Sequence, residues 1–541
     1  GDRRAAEGRP VSSTPNRELP FADARGCKEW LAALPLTNIP QAQGQVLETL
    51  TALNESDIAP MERVKSLELM RDKIAFLQGE QRARYFGKTL PLSANDNSAW
   101  ATGRSLLEGM ETGYRRALEA AAANQDGLGE HAALIAQRTA RYVGAQMLFH
   151  AIVFRRFDPQ LWLRLHQLYA DAQAKGTSEE SVKDSLEGEE GVTSMERTYV
   201  QAVLVQAAFL SEMSAPQVDF AEALLRMWAR KVRVLAASPE SESRVDALVV
   251  DLAKPIGARP QPRQALEPTQ RVLETGALSR SIRGRIHGLQ NGEDHASLGL
   301  PPQAGAVDAE HELKRLHKLW CEGAPPRPAA KASTQPTAGL VFGIPEIHFF
   351  LSQGKTFEQP DKKRELTPQE KQDIEVFGRV RELTQSRMVQ QHNFTVEAWP
   401  VVDEMLGAVR VQRPNSAARG VGIGRLAAVR MGDTAPFYLA MVSELVQETD
   451  GRIIATLTLF PGRPEPLAVR AGDARNRANA QWVQGVKLPP LEKINIPATL
   501  VVPSPMGARG RGIEVWEGEA KERTVEELLQ RGTDFDRVTV F

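Results

Sequence analysis

The chain has 541 residues, of which 42% are hydrophobic, and its 67 basic side chains are balanced by 68 acidic ones. This length predicts roughly two to four domains, with enough apolar surface for buried cores. The near-zero net charge gives no global electrostatic case for a nucleic-acid partner or a membrane surface, so any anion site must be local. Two cysteines, Cys27 and Cys321, follow no metal-ligand or disulfide spacing, which is typical of a cytoplasmic protein.

The N-terminal half has the pattern of a helical scaffold. Residues 1–22 are polar and predict a disordered tail without a secretory signal. From 23 to 324 apolar residues recur at intervals of three and four, as in Met61, Val64 and Leu67, which predicts amphipathic helices. Short loops between the helices suggest hairpins stacked as in a solenoid, although no repeat of fixed period is found. No stretch is long and apolar enough to predict a membrane span.

Two polar stretches lie within this half. The acidic segment 174–191 is poor in apolar residues and predicts a mobile surface loop without chemistry. A basic cluster of Arg280, Arg283 and Arg285 has two interpretations. It could engage phosphate or an acidic partner, or it could be an exposed helix face whose charge is neutralised by Glu274 and its neighbours.

A segment rich in Pro, Ala, Ser and Thr, 325–340, predicts a linker between the two halves of the chain. Because such a segment has little to bury, we expect the helical domain and the C-terminal domain, 341–541, to have separate cores. The C-terminal domain begins with two short predicted helices, the second opened by Thr367 and Pro368.

The rest of the C-terminal domain alternates short apolar runs with Gly, Pro and Asp turns, which predicts an antiparallel β-barrel and an α+β fold for the chain. Asp450 and Gly451 predict a hairpin closed by a two-residue type I′ turn. The last segment, 524–541, is predicted to form a helix and a closing strand.

The order and spacing of these strands resemble the PilZ family of bacterial barrels, which bind the signalling dinucleotide cyclic di-GMP. Asp403 and Gly407 fall where the D/N-x-S-x-x-G motif of that family would lie. Two motif positions are altered, because Met405 replaces the serine and Ala408 replaces the second small turn residue. The resemblance covers about the last 200 residues and implies a PilZ-like barrel.

The resemblance also implies cyclic di-GMP as a ligand, with no cofactor. PilZ proteins place an R-x-x-x-R segment before the barrel, and a guanidinium group can bond phosphate oxygens or guanine edges and stack on a base. Here Arg379, Arg381 and Arg387 precede the barrel, but no two of them have that spacing. Arg410 follows on the next strand and could add positive charge, or it could simply lie on a solvated face of that strand. The implied ligand-binding residues are Arg379, Arg381, Arg387, Asp403, Gly407 and Arg410.

Motifs for catalysis or metal binding are not found in the sequence. His311 and His317 lie six residues apart, whereas zinc sites on one helix need a separation of four. The glycine-rich stretch 420–426 lacks the Lys-Ser/Thr ending of a phosphate-binding loop. We therefore expect a cytoplasmic signalling effector, not an enzyme, that binds or once bound cyclic di-GMP and contacts an unidentified protein through its helical domain. The alternative is a helical adaptor whose barrel docks a partner without binding nucleotide.

Overall fold

The protein consists of a mainly helical N-terminal domain followed by two antiparallel β-barrels. Its computed structural model describes residues 18–188, 191–237, 247–262, 265–324, 327–361, 368–379, 394–472 and 480–541. The predicted α+β class with a helical N-terminal domain is confirmed.

Ten helices of the described residues form the N-terminal domain. They are α1 (Ala24–Ala32), α2 (Ile39–Glu55), α3 (Pro60–Tyr85), α4 (Ala94–Ala122), α5 (Ala132–Ala151), α6 (Gln160–Ala174), α7 (Met195–Ala207), α8 (Ala215–Trp228), α9 (Gly276–Gln290) and α10 (Ala309–His317). Their apolar faces share one buried cluster, because residues such as Leu67 and Met70 of α3 recur at helical spacing. Cys27 and Cys321 are buried in this cluster and are not joined by a disulfide. A regular solenoid repeat stays a prediction.

The N-terminal domain also contains strands that the periodicity did not predict. They are the hairpin β1 (Val182–Lys183) and β2 (Val192–Thr193), and a four-stranded sheet of β3 (Arg233–Ala236), β4 (Ala247–Asp251), β5 (Arg259–Pro260) and β6 (Gln270–Glu274), in the order β3-β6-β4-β5. Every residue of β4 is buried. A short apolar run of this kind cannot be distinguished from a buried helical segment by periodicity.

The acidic segment 174–191 differs from its prediction as a mobile surface loop. It includes β1, and Asp184 and Glu187 after that strand are both buried. Asp184 lies 2.5 Å from Arg71 and 3.0 Å from Arg141, so α3 and α5 hold this segment by ion pairs.

The first barrel is closed by six strands. They are β7 (Thr337–Phe342), β8 (Glu397–Met405), β9 (Ala408–Gln412), β10 (Leu426–Met431), β11 (Tyr438–Gln447) and β12 (Ile453–Leu459), in the order β10-β11-β12-β9-β8-β7. Helices α11 (Ile344–Leu351) and α12 (Pro368–Phe377) lie between β7 and β8 in sequence. The predicted linker 325–340 is wrong at its end, because Ala338 and Leu340 are buried strand residues. Lys331 also pairs with Glu404 by two backbone hydrogen bonds.

A second barrel follows where a continuation of the first was predicted. Its strands are β13 (Glu465–Ala471), β14 (Val483–Leu488), β15 (Thr499–Pro503), β16 (Gly512–Trp516), β17 (Ala520–Arg531) and β18 (Phe535–Val540), in the closed order β13-β14-β15-β18-β17-β16. The helix predicted from residue 524 was wrong, because this segment belongs to β17. Two bulges in β17 shift the alternation of its side chains, which gave the sequence a helix-like spacing.

The hairpin predicted at Asp450 and Gly451 joins β11 and β12, but its turn type was wrong. Of the two residues only Gly451 has a positive φ, +88°. The amide of Gly451 donates to the carbonyl of Glu448, and the amide of Glu448 donates to the carbonyl of Arg452. The loop therefore has three residues and ends in a left-handed glycine.

The helical domain and the first barrel do not have wholly separate cores, contrary to the prediction. Leu90, before α4, and Phe154, after α5, belong to the buried cluster of the first barrel. The backbone of Leu90 also forms two hydrogen bonds, of 2.8 and 2.9 Å, with Val421 of the glycine-rich stretch. On the other side of that stretch, Gly424 accepts a hydrogen bond from the amide of Thr533 in the second barrel. The glycine-rich stretch 420–426 thus connects the helical domain, the first barrel and the second barrel.

Candidate functional site

The structure brings together three of the six residues implied as a ligand site. Asp403 of β8 and Arg410 of β9 are cross-strand partners, and Gly407 lies in the turn between them with a φ of +73°. Arg410 Nε donates to Asp403 Oδ1 at 2.8 Å, and its Nη2 donates to Oδ2. This hydrogen bonding raises the pKa of Arg410. A phosphate at this turn would have to share or replace the Asp403 carboxylate.

Of the three arginines predicted to precede the barrel, the described residues include only Arg379. Arg379 is exposed, two residues after the end of α12, and Arg381 and Arg387 lie outside the described residues. Met405, at the position of the motif serine, is partly exposed and pairs with Ala408 across the turn. The convergence of these arginines on the turn at Gly407 stays a prediction.

The second basic cluster does not present three arginines to one ligand. Arg283 donates to Ser279 Oγ at 2.8 Å, and Arg285 donates to the carbonyl of Leu298 at 3.2 Å. The Arg285 guanidinium also lies over the Trp228 ring, 5.2 Å from its centroid. Arg280 is exposed on the same helix, α9. At least two of these side chains therefore brace the helical domain.

Among the described residues, two clefts large enough for a small ligand lie where the helical domain meets the barrels. The first, about 510 Å³ in volume, lies where the helical domain meets both barrels. Its charged lining includes the carboxylates of Glu212, Asp308 and Glu312 against the guanidinium groups of Arg315 and Arg531. Burial raises the pKa of Glu212, an effect that the cations near it oppose. The excess of carboxylates makes this cleft a poor site for a dianion.

The second cleft, about 460 Å³ in volume, lies between the helical domain and the first barrel. Four aromatic side chains and three arginines line it, and we call it the aromatic–arginine cleft. The rings belong to Phe154, Phe157, Trp162 and Phe209, and the cations to Arg155, Arg156 and Arg327. Glu444 of β11 is the one carboxylate in its described lining. Two carboxylates outside this lining, Glu448 and Glu212, also pair with its arginines, so the charges around the cleft nearly balance.

Barrel residues hold the arginines of this cleft in place. Arg156 Nε donates to Glu448 Oε2 at 2.8 Å, and Arg327 Nη1 donates to Glu444 Oε1 at 2.9 Å. Arg155 has neutral partners instead, because its Nε donates to Gln447 at 2.8 Å. Burial lowers the pKa of Arg155, although a guanidinium stays charged at neutral pH.

The sequence interpretation missed this cleft, although one local signal was available. Two arginines flanked by phenylalanines, Phe154 to Phe157, follow directly after α5. Basic residues interleaved with aromatic ones are typical of surfaces that bind nucleotides. Within the described residues, no group of three or more His, Cys, Asp or Glu side chains could hold a metal ion. In that same part of the chain, no helix combines the length and apolar character of a membrane span.

Comparison with known proteins relates the chain to one kind of receptor. Residues 25–240 match the family model described as "Cyclic-di-GMP receptor FimW, N-terminal domain". The curated protein "Cyclic-di-GMP receptor FimW" of Pseudomonas aeruginosa is 23% identical over 357 residues, which are 64% of this chain and 57% of that protein. The predicted resemblance to a cyclic di-GMP receptor with an N-terminal domain is confirmed. No solved structure matches the chain.

The family match and the clefts can be placed on the same fold. The matched residues include helices α1 to α8 and the segment from Phe154 to Phe157, but they end before the first barrel. The similarity to the curated FimW protein is longer than this family match. One wall of the aromatic–arginine cleft therefore lies in the matched domain, and Glu444 on the opposite wall lies beyond it.

Proposed function

We propose that this protein is a cytoplasmic signalling effector that binds cyclic di-GMP and signals through protein contacts. The observation that carries the proposal is the similarity to a curated cyclic di-GMP receptor along 64% of the chain. The proposed role is binding without catalysis, and the ligand is not a cofactor. The fold suits such a role, since a helical domain can present a docking surface while a barrel receives the ligand.

The chemistry of the ligand defines what the protein must supply. Cyclic di-GMP carries two phosphates and two flat guanines, which guanidinium groups can contact both by forked hydrogen bonds and by stacking. In the PilZ-like interpretation, the pre-barrel residues Arg379, Arg381 and Arg387 meet the first barrel at the turn that contains Gly407. Arg410 supports this hypothesis as a cation beside that turn, where a phosphate would compete with Asp403 for its guanidinium group.

Isothermal titration calorimetry with cyclic di-GMP and the full chain tests the proposal. Removing one charged hydrogen-bond donor costs about 1.5–3 kcal/mol, so Arg381→Ala and Arg387→Ala should each weaken binding roughly 10- to 100-fold. Arg523→Ala is the matched control, because this arginine lies on β17 of the second barrel and pairs with Glu517 at 3.6 Å.

Two results would count against the proposal in different ways. If the wild-type chain gives no heat at millimolar nucleotide, the adaptor that docks partners without nucleotide takes its place. If the wild type binds and both pre-barrel variants bind equally well, the ligand lies elsewhere on the protein.

A further inference from the structure

We propose that the aromatic–arginine cleft is a second binding site for a cyclic purine dinucleotide, separate from the turn at Gly407. This inference rests on the proposed function and adds a site at the contact between the helical domain and the first barrel. Its volume, about 460 Å³, is within the range of small-molecule sites.

The arginines of the cleft are of the kind that can bond the phosphates of the ligand. A cyclic dinucleotide has two phosphodiesters and therefore two negative charges, and two of the cleft arginines, Arg156 and Arg327, already hold carboxylates. Phosphates could take the place of these carboxylates at the same guanidinium groups. Arg156 and Arg327 reach the surface, with side chains 57% and 52% exposed, so their guanidinium groups are accessible from solvent. Arginine is the side chain best suited to phosphate, because its planar fork matches two phosphate oxygens.

The aromatic rings provide surfaces on which purines can stack. Phe157 and Phe209 are partly exposed, and the centroids of the Phe157 and Trp162 rings lie 6.3 Å apart. The Arg327 guanidinium lies over the Phe209 ring, 5.5 Å from its centroid. Rings combined with arginines are how proteins bind unpaired bases.

Two features of the walls indicate that the cleft is more than a packing gap. Phe154 and Phe209 both have positive φ values, +60° and +54°, which bulky side chains rarely adopt. Such strained residues cluster at ligand-binding sites. Gln206, also in the lining, has a buried Nε2 without a hydrogen-bond partner among the described residues. If the Gln206 side chain turned toward the cleft, a phosphate or guanine oxygen would satisfy this donor.

Binding here would alter the contact between the two bodies. Arg156 pairs with Glu448 and Arg327 pairs with Glu444, and both carboxylates lie at the β11 end of the first barrel. Arg327 also pairs with Glu212 of the helical domain at 3.1 Å. A phosphate that bonds the same guanidinium groups competes with these carboxylates. The dinucleotide would therefore loosen the ionic part of the contact, which provides a route from ligand binding to a changed protein surface.

Hydrogen–deuterium exchange of the full chain, with and without cyclic di-GMP, reports on this site directly. Peptides that cover 151–163 should become protected, both in the wild type and in the Arg381→Ala/Arg387→Ala variant. Arg156→Ala should reduce the affinity measured from this protection at least tenfold. Phe157→Leu, which keeps an apolar side chain but removes the ring, should reduce it severalfold.

Arg164→Ala is the control, because this arginine lies on α6, pairs with Glu111 at 3.1 Å and is absent from the described lining of the cleft. Circular dichroism confirms that each variant is folded. If the wild type binds cyclic di-GMP by calorimetry while peptides 151–163 are unchanged, the cleft site is wrong and the proposed function stands. If calorimetry shows no binding at all, both are wrong. Equal protection in Arg156→Ala, Phe157→Leu and the wild type also overturns the cleft site.

Discussion

Replacing Asp184 by Asn should destabilise the helical domain more than any exposed charge change in the same region. Asp184 is 1% exposed, and Arg71 and Arg138 near it are each 2% exposed. The guanidinium nitrogens of Arg71, Arg138 and Arg141 lie 2.5, 3.2 and 3.0 Å from the Asp184 carboxylate, in that order. The substitution keeps the shape of the side chain but leaves buried cations without one of their counter-ions.

The expected loss is about 3–5 kcal/mol, the usual cost of breaking a buried ion pair from one side. This is a large part of the roughly 5–15 kcal/mol by which domains are stable. Urea unfolding followed by far-ultraviolet circular dichroism measures it, because the long helices lie in this domain. Asp72→Asn is the control, since Asp72 is exposed and accepts one hydrogen bond from Ser185 of the same segment. It should change stability by no more than about 0.5 kcal/mol.

The same cluster predicts a pH dependence. Burial tends to raise the pKa of Asp184, but the attraction of Arg141, Arg71 and Arg138 outweighs it and holds the pKa below its usual value. A carboxylate with a lowered pKa stabilises the fold above its unfolded pKa of about 3.9, and this contribution is lost as pH falls through the folded value. The difference between wild type and Asp184→Asn should therefore shrink in acid. An Asp184→Asn loss below about 1 kcal/mol at neutral pH would refute the reasoning.

Four further changes test other parts of the structure. Gly451→Val should destabilise the first barrel by about 1 kcal/mol or more in thermal melts, because Gly451 is left-handed, whereas Gly44→Ala in α2 should stabilise the chain by about 0.5–1 kcal/mol. Phe154→Ala should lower the free energy of unfolding by roughly 3–5 kcal/mol and make the helical domain and the first barrel melt separately. Phe76→Ala, at an exposed position, should do neither. Met405→Ser should tighten cyclic di-GMP binding roughly fivefold by calorimetry, and unchanged affinity would argue against the PilZ-like interpretation of this turn.

The parts of the fold that follow from local spacing could be predicted from the sequence. The apolar residues of α3 recur at intervals of three and four positions, and its buried positions include Val64 and Leu67, as that spacing requires. The hairpin at Asp450 and Gly451 could be located because few residue types tolerate positive φ, although the number of loop residues could not be read from the pair itself.

Other elements depend on contacts that local patterns do not encode. β17 lies between β16 and β18, and its bulges hide the alternation by which a strand is recognised. The closure of two barrels rather than one depends on the pairing of β7 with β10 and of β13 with β16, each of which joins segments far apart in sequence. The role of Asp184 was hidden for the same reason, because its arginine partners come from α3 and α5.

The candidate cleft shows how a local signal gains meaning from distant residues. The two arginines between Phe154 and Phe157 are visible in the sequence, but Glu448, the partner of Arg156, lies 292 residues later. Without that pairing, the segment reads as an exposed helix end with two solvated charges. With it, the same guanidinium groups hold a barrel in place and face an open cleft, so a ligand anion and a barrel carboxylate require the same donors. At such a site the ligand and the barrel carboxylates compete for the same guanidinium groups, so ligand binding changes the contact between the helical domain and the first barrel. This coupling needs no movement within the core of either domain.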